Sequence, residues 1–103
     1  MWHPQFSVIA VLECIETDKT YIGRRHCTQS GRSCQPWSNQ TPHKHKFTND
    51  TMFPDGSVIA ASAYCRNPGL SRDSPWCYTQ DENVDWEYCD LPKCSGNNIH
   101  NLI

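Results

Sequence analysis

Apolar residues are spread along this chain without the three-to-four-residue spacing that predicts an amphipathic helix. Turn-forming sequences interrupt the chain repeatedly, at Ser30-Gly31, Thr41-Pro42, Asp55-Gly56, Asn67-Pro68-Gly69 and Ser74-Pro75. Aromatic and polar residues alternate over 75–80 and 86–88, which predicts two short strands. The segment 38–57 shows neither pattern and is predicted to be loop. The chain is therefore expected to form a loop-rich fold with little regular secondary structure.

The apolar content is low for a chain of 103 residues, with 37% hydrophobic residues and a mean hydropathy of −0.71. A domain of this size buries only roughly 60% of its unfolded surface, and small secreted domains compensate with disulfides. The seven cysteines, at 14, 27, 34, 65, 77, 89 and 94, therefore indicate an oxidising, extracellular setting. Zinc is the other use of clustered cysteines, but zinc ligands usually come in closer pairs than these. Six cysteines can pair in fifteen ways, and spacing alone does not choose among them.

Charge and hydropathy limit the partners. The formal net charge is −2, so the chain has no basic excess with which to bind nucleic acid. The longest apolar run, Phe6 to Leu12, is far shorter than the ~18 residues of a membrane span and lacks the flanks of a signal peptide. We expect no direct membrane insertion, and we interpret the chain as a fragment of a longer secreted or cell-surface protein.

The cysteine frame divides the chain into three parts. Residues 14–94 form the predicted domain, and residues 95–103 form a polar tail. Residues 1–13 form an N-terminal flank, in which His3-Pro4-Gln5-Phe6 resembles a streptavidin-binding purification tag. Within the domain, Asn39 and Asn49 each begin an Asn-x-Thr sequence, so both are candidate glycosylation sites that should lie on the surface.

Several segments together resemble the kringle family. They are Tyr21-Ile22-Gly23, Ser30-Gly31, Cys34-Gln35-Pro36-Trp37, Pro42-His43-Lys44-His45, Phe53-Pro54, Tyr64-Cys65-Arg66-Asn67-Pro68, Pro75-Trp76-Cys77-Tyr78-Thr79 and Trp86-Glu87-Tyr88-Cys89-Asp90. The resemblance covers residues 14–94 and implies a small disulfide-rich fold with three nested disulfides. The implied pairs are Cys14–Cys94, Cys34–Cys77 and Cys65–Cys89, with Cys27 left over.

Cys27 occupies a position that is usually apolar in kringles. We predict a buried, unpaired thiol, because a free cysteine packs as a small hydrophobic residue. The alternative is an exposed Cys27 that forms an intermolecular disulfide with a partner domain or a second copy.

The resemblance also divides the aromatic residues into two groups. Trp37 and the Leu91-Pro92 segment are assigned to the small core. Three others, Trp76, Tyr78 and Trp86, match the positions at which lysine-binding kringles build an exposed aromatic trough.

The charged residues expected around such a trough are missing. Gly69 and Ser71 stand where lysine-binding kringles carry a pair of aspartates, and Asp85 stands where a basic residue is expected. Asp73 is a candidate substitute for the missing acid, and Arg72 is a candidate to fold into the trough and block it. The resemblance therefore implies a degenerate ligand trough without useful affinity for lysine.

No catalytic or metal-binding chemistry is expected. The chain has no Gly-Asp-Ser-Gly-Gly nucleophile segment and is too short to assemble a serine protease triad. His43 and His45 could share one face of a strand, but two nitrogens make a weak metal site, and the resemblance implies that one of them is packed inside. We therefore expect no cofactor and no metal.

Within the kringles, Cys34-Gln35-Pro36-Trp37, Arg66-Asn67-Pro68-Gly69 and Asp81-Glu82-Asn83 are similar to the kringle of ROR-type receptor tyrosine kinases. This similarity implies a non-catalytic module of a receptor ectodomain that binds an extracellular protein or peptide. The alternative is an accessory kringle of a secreted serine-protease zymogen that docks substrates or cofactors.

Overall fold

The computed structural model describes residues 21–91. Regular structure in this range consists of two strands, β1 (Trp76–Tyr78) and β2 (Trp86–Tyr88), and two single turns of 3-10 helix at Asp50–Met52 and Pro68–Leu70. The strands pair in antiparallel fashion with Cys77 opposite Glu87. The expected loop-rich fold with short antiparallel strands is confirmed. Within residues 21–91 no helix has the length and apolarity needed to cross a bilayer.

β2 has the predicted bounds, whereas β1 is shorter than the predicted 75–80. The reason is the turn that begins at Thr79. The Thr79 hydroxyl donates to the carbonyl of Asp81, and the Thr79 N–H donates to the carbonyl of Asp85. These bonds close a compact loop between the two strands instead of extending the ladder.

Two disulfides lie side by side at the centre of the domain. Cys34 bonds to Cys77 with a Cα–Cα distance of 5.6 Å, and Cys65 bonds to Cys89 at 6.3 Å. The Sγ atoms of Cys34 and Cys65 are 3.9 Å apart, and all four cysteines are buried. Two of the three implied pairings are therefore confirmed, and these four sulfur atoms are held in disulfides rather than available to zinc. The third implied pairing, Cys14–Cys94, lies outside the described residues, as do the two flanks.

Trp37 lies in the same buried cluster as the two disulfides and forms its aromatic centre. Its side chain is 1% exposed, and its indole N–H donates to the carbonyl of Tyr64 at 2.7 Å. The rings of Trp76 and Phe53 meet it edge-on, with centroids 5.1 and 5.3 Å away. Leu91 is also buried. The assignment of Trp37 and Leu91 to the core agrees with the structure, while Pro92 lies outside the described residues.

Arg66 is also buried, with 1% of its surface exposed. Its Nε and Nη2 atoms donate to the two carboxylate oxygens of Asp55 at 2.8 and 3.0 Å. Its Nη1 donates to the carbonyls of Gly23 and Cys65 at 2.8 and 2.7 Å. This buried charge is stable because a bidentate carboxylate and two carbonyls replace the water that it loses. The interaction ties the segments at 23, 55 and 65 together.

Candidate ligand-binding surface

The two strands place three aromatic rings next to one another. Trp76 and Tyr78 are two residues apart on β1, so their side chains leave the same face of the strand. Trp86 is the cross-strand partner of Tyr78 on β2. The Trp76 ring lies 5.0 Å from Tyr78 and 5.7 Å from Trp86, in edge-to-face contact with both. We call Trp76, Tyr78 and Trp86 the aromatic trough.

Arg72 fills this trough. The guanidinium carbon of Arg72 lies 4.2 Å from the ring centroid of Trp76 and 3.7 Å from that of Trp86. Both distances are well inside the range of a cation–π contact. Arg72, which the sequence offered as a candidate to block the trough, thus occupies it in the structure.

The trough differs from the exposed surface expected for it, because Trp76 is fully buried. Its relative exposure is 0%, while Tyr78 and Trp86 are half-buried. Trp76 lies between Trp37 beneath it and Arg72 above it. Phe47 packs edge-on against Trp76 at 5.5 Å. The arginine and the phenylalanine therefore remove from solvent the ring that a ligand would have touched.

Asn67 fixes the backbone of Arg72 in this position. The Asn67 side chain accepts a hydrogen bond from the Arg72 N–H at 3.0 Å and donates one to the Arg72 carbonyl at 2.6 Å. The same Asn67 oxygen accepts from the Trp76 indole N–H at 3.3 Å. One buried amide therefore orients both members of the stack. The sequence placed Asn67 in a turn and in family motifs, but its bonds to Arg72 could not be predicted because they depend on how the turn folds back.

The guanidinium of Arg72 has no hydrogen-bond acceptor within residues 21–91. Its Nε atom is enclosed and has no partner. No carboxylate of the described residues lies within ion-pair distance of it, in contrast to Arg32 and Arg66. The arginine is therefore held by the faces of aromatic rings and by its own backbone alone.

The two candidate acids of the trough do not neutralise Arg72. Asp85 is exposed, and its carboxylate lies 3.3 Å from Nδ1 of the buried His43. Asp73 is exposed and takes part in no ion pair of the described residues. Burial raises the pKa of the Tyr78 hydroxyl, and of the two nearby charges Arg72 lowers that pKa while Asp85 raises it. The charges of Arg72 and Asp85 therefore both act on the Tyr78 hydroxyl at the edge of the trough.

His43 owes its position to the buried side chain of Gln35. The Gln35 amide donates to the His43 carbonyl at 2.8 Å and accepts from the His43 N–H at 2.9 Å. The His43 ring is 8% exposed, and its Nε2 contacts the carbonyl of Asp81 at 2.9 Å. This agrees with the expectation that one histidine of the pair packs inside. His45 stacks on Tyr78 at 5.2 Å instead of turning toward His43 as a second metal ligand.

A surface network that the sequence did not suggest joins the turn at 28–32 to β2. Glu87 accepts hydrogen bonds from the hydroxyls of Thr28 and Ser30, and its other oxygen pairs with Arg32 at 3.2 Å. Arg32 also pairs with Asp81 at 3.1 Å. The hydroxyl donors, with smaller help from Arg32, hold the pKa of Glu87 below its usual range. A backbone N–H and Arg32 lower the pKa of Asp81, and the Asp81 carboxylate raises the pKa of Arg32.

The remaining candidate residues lie away from the trough. Cys27 forms no disulfide with the described residues and is half-buried, not enclosed as we expected, because it sits at an isolated bridge to Ser33 near the surface. Asn39 and Asn49 are both exposed. The Asn49 side chain accepts hydrogen bonds from the N–H and the hydroxyl of Thr51. Glycan attachment at Asn39 and Asn49 and an intermolecular bridge through Cys27 remain predictions.

Comparison with known proteins gives a family match and curated relatives. The family model described as Kringle domain matches residues 14–94. A human protein described as putative apolipoprotein(a)-like protein 2 is 47% identical over 89 residues, an alignment that covers 85% of this chain and 64% of the relative. The chain thus spans less than two thirds of that relative's length.

These findings correct one expectation drawn from the sequence. The relative is an apolipoprotein(a)-like protein and not a receptor kinase, so the similarity to ROR-type kringles is not supported. In one segment that suggested it, Arg66 and Asn67 are buried and hydrogen-bonded inside the domain, so these two residues have a structural use that is independent of the subfamily. Kringle domains are non-catalytic, protein-binding modules, and they are typical of extracellular proteins. On the match to residues 14–94 and the two disulfides, this chain belongs to the kringle family.

Proposed function

We propose that this chain is an extracellular module that binds a protein or peptide partner and has no useful affinity for lysine. The observation that carries the proposal is the position of Arg72 between Trp76 and Trp86. A lysine side chain would need the same ring faces that Arg72 occupies. The charge of the arginine would also repel the incoming ammonium group.

The surroundings of the trough support the same conclusion. Gly69 and Ser71 are exposed and carry no charge where an ammonium group would need carboxylates. A hydrogen bond to a charged group contributes about 1.5–3 kcal/mol, so the loss of two weakens a micromolar ligand to the millimolar range. At the other end, Asp85 would face the carboxylate of a zwitterionic ligand and repel it.

The kind of protein that carries this domain is inferred from a different observation. The similarity to an apolipoprotein(a)-like protein favours a secreted protein over the receptor tyrosine kinase ectodomain that we expected from short motifs. An accessory kringle of a secreted protease zymogen has the same extracellular setting. In either case the kringle supplies recognition and no catalysis.

An NMR titration with 6-aminohexanoate tests the absence of lysine affinity. The indole N–H signals of Trp76 and Trp86 report directly on the trough. We expect no saturable shift below about 0.1 mM ligand, which corresponds to a binding free energy near −5.5 kcal/mol. Saturation below that concentration would show that a zwitterion displaces Arg72, and the proposal would fail. The same titration of Arg24→Ala, which removes an exposed arginine outside the trough, is the matched control.

A further inference from the structure

We propose that Arg72 is itself a recognition element, whose terminal Nη1 and Nη2 groups bind a carboxylate of a partner peptide. This inference rests on the proposed function, because it takes the trough to be filled by Arg72. In a lysine-binding kringle the trough binds a positively charged ammonium group, whereas the ligand proposed here is negatively charged. The partner presents an anion, and the cation is supplied by the module.

Arg72 has unused hydrogen-bonding capacity. A guanidinium has five N–H donors in one plane, and cation–π contacts through its carbon do not satisfy these donors with hydrogen-bond acceptors. No acceptor in residues 21–91 contacts the Arg72 donors, and only Nε is enclosed. Nη1 and Nη2 are therefore available to a ligand, in the fork geometry that matches the two oxygens of a carboxylate.

Arg72 is also preorganised for binding. Asn67 holds its backbone on both sides, and the rings of Trp76 and Trp86 hold its guanidinium. A ligand therefore does not have to immobilise a flexible arginine, which is a main cost of binding through such side chains. The aromatic surroundings also exclude water and strengthen the attraction between opposite charges.

The charges around Arg72 favour one class of anion. Arg72 is a single cation flanked along the chain by the exposed Asp73, and Asp85 acts on the same Tyr78 hydroxyl. Two acids near one base repel a dianion or a polyanion more strongly than they repel a single negative charge. The site therefore fits one carboxylate, from an acidic side chain or from a chain terminus, better than it fits a phosphate or a sulfated polysaccharide.

The test uses short peptides that contain no amine. One has an internal glutamate and blocked termini, and a second has a free C-terminal carboxylate and no acidic side chain. A third has glutamine in place of the glutamate and blocked termini. We expect saturable millimolar shifts of the Trp76 and Trp86 indole signals with a carboxylate peptide and none with the glutamine peptide. The peptide that binds more tightly identifies the source of the carboxylate.

Variants assign the binding to Arg72. Arg72→Met keeps an unbranched side chain over the rings and should weaken binding by about tenfold or more, a loss of about 1.4 kcal/mol. Arg24→Ala should bind like the parent protein. Asp85→Asn should tighten binding by about twofold, because one nearby negative charge is removed. An unchanged amide spectrum away from the trough confirms that each variant is folded.

The inference fails if neither carboxylate peptide binds, or if Arg72→Met binds them as tightly as the parent protein. It also fails if a sulfated oligosaccharide binds in an Arg72-dependent manner more tightly than both peptides. A separate titration with Nα-acetyl-lysine methylamide, which has an ammonium group and no carboxylate, distinguishes this failure from that of the proposed function. Saturation by that amine refutes the absence of lysine affinity, whereas silence toward the carboxylates refutes only the present inference.

Discussion

Two arginines in this domain each lie over two aromatic rings, and they differ in what their N–H groups meet. Arg66 lies over the rings of Tyr21 and Tyr64 at 5.6 and 5.3 Å, and its fork is filled by Asp55 and by backbone carbonyls. Arg72 lies closer to its rings and meets no acceptor within residues 21–91. The same side chain thus serves as a structural tie in one place and as an unpaired cation in the other. The difference separates their roles: the donors of Arg66 are used inside the domain, and those of Arg72 carry the proposal that it binds a partner.

The largest expected effect is the loss of stability when the buried ion pair between Arg66 and Asp55 is removed. Arg66→Met leaves the carboxylate of Asp55 without its partner and should lower the free energy of unfolding by about 3–5 kcal/mol. Urea unfolding followed by tryptophan fluorescence, with disulfides intact, measures this loss. Arg72→Met is the matched control. If the two variants lost equal stability, the two arginines would not differ in role.

A variant that gains affinity for a lysine-like amine would test the role of Arg72 in a second way. Arg72→Ala opens the trough, and Gly69→Asp with Ser71→Asp adds the carboxylates that an ammonium group needs. Gly69 has φ of 63°, a region that aspartate tolerates better than most residues, and a Cβ at this position would meet no other atom within 4 Å. The triple variant should bind Nα-acetyl-lysine methylamide about ten- to a hundredfold more tightly than the parent, or about 1.4–2.7 kcal/mol.

Arg72→Ala alone is the control for that gain. It removes the occluding side chain without adding a carboxylate, so it should bind the amine little better than the parent protein. Tight binding by the single variant would mean that occlusion alone, and not the missing charges at 69 and 71, suppresses lysine recognition.

Removing Arg72 should have only a small effect on stability. Its two ring contacts contribute about 0.5–2 kcal/mol each at most, and the enclosed, unpaired Nε offsets part of that gain. Arg72→Met keeps an apolar chain over Trp76, so we expect a loss below about 1 kcal/mol. Urea unfolding measures it, and a loss of several kcal/mol would assign Arg72 to the structural class of Arg66.

The sequence predicted the disulfides, the second strand and the central core residue better than it predicted the contacts between side chains. The pairs Cys34–Cys77 and Cys65–Cys89 and the burial of Trp37 followed from family motifs. The bounds of β2 followed from the alternation of aromatic and polar residues. Arg72 was named from the sequence only as a candidate to fold into the trough, and the structure places its guanidinium over Trp76 and Trp86. The burial of Trp76 was missed, because it depends on side chains that converge from both sides.

The network around Glu87 was missed for a different reason. Its donors, Thr28 and Ser30, lie 59 and 57 residues away along the chain. Their approach depends on the path that the disulfides impose on the loops, which no local pattern encodes. Polar residues in a loop-rich sequence are therefore expected to be exposed. Only the folded structure shows which of them form side-chain hydrogen bonds or ion pairs with each other.

The smallest expected effect is the dependence of stability on pH that this network causes. The folded-state pKa values of Glu87 and Asp81 lie below their ordinary values. A lowered carboxyl pKa contributes stability above the unfolded-state pKa, and that contribution is lost as the pH falls through the folded-state value. The urea midpoint should therefore fall between about pH 6 and about pH 3, and it should fall less in Glu87→Gln. An equal fall in both proteins would show that Glu87 is not linked to folding.

The Nε–H resonance of Arg72 reports directly on whether its guanidinium lies over the rings of Trp76 and Trp86. In a ¹H–¹⁵N spectrum selective for arginine side chains, protons above indole faces are shifted upfield by ring currents. We predict that the Arg72 Nε–H signal is shifted upfield of that of the exposed Arg24, that it disappears in Arg72→Met, and that it moves when a carboxylate peptide is added. An Arg72 signal that coincides with that of Arg24 would mean that the guanidinium is free in solvent and that the trough is open, which contradicts the account.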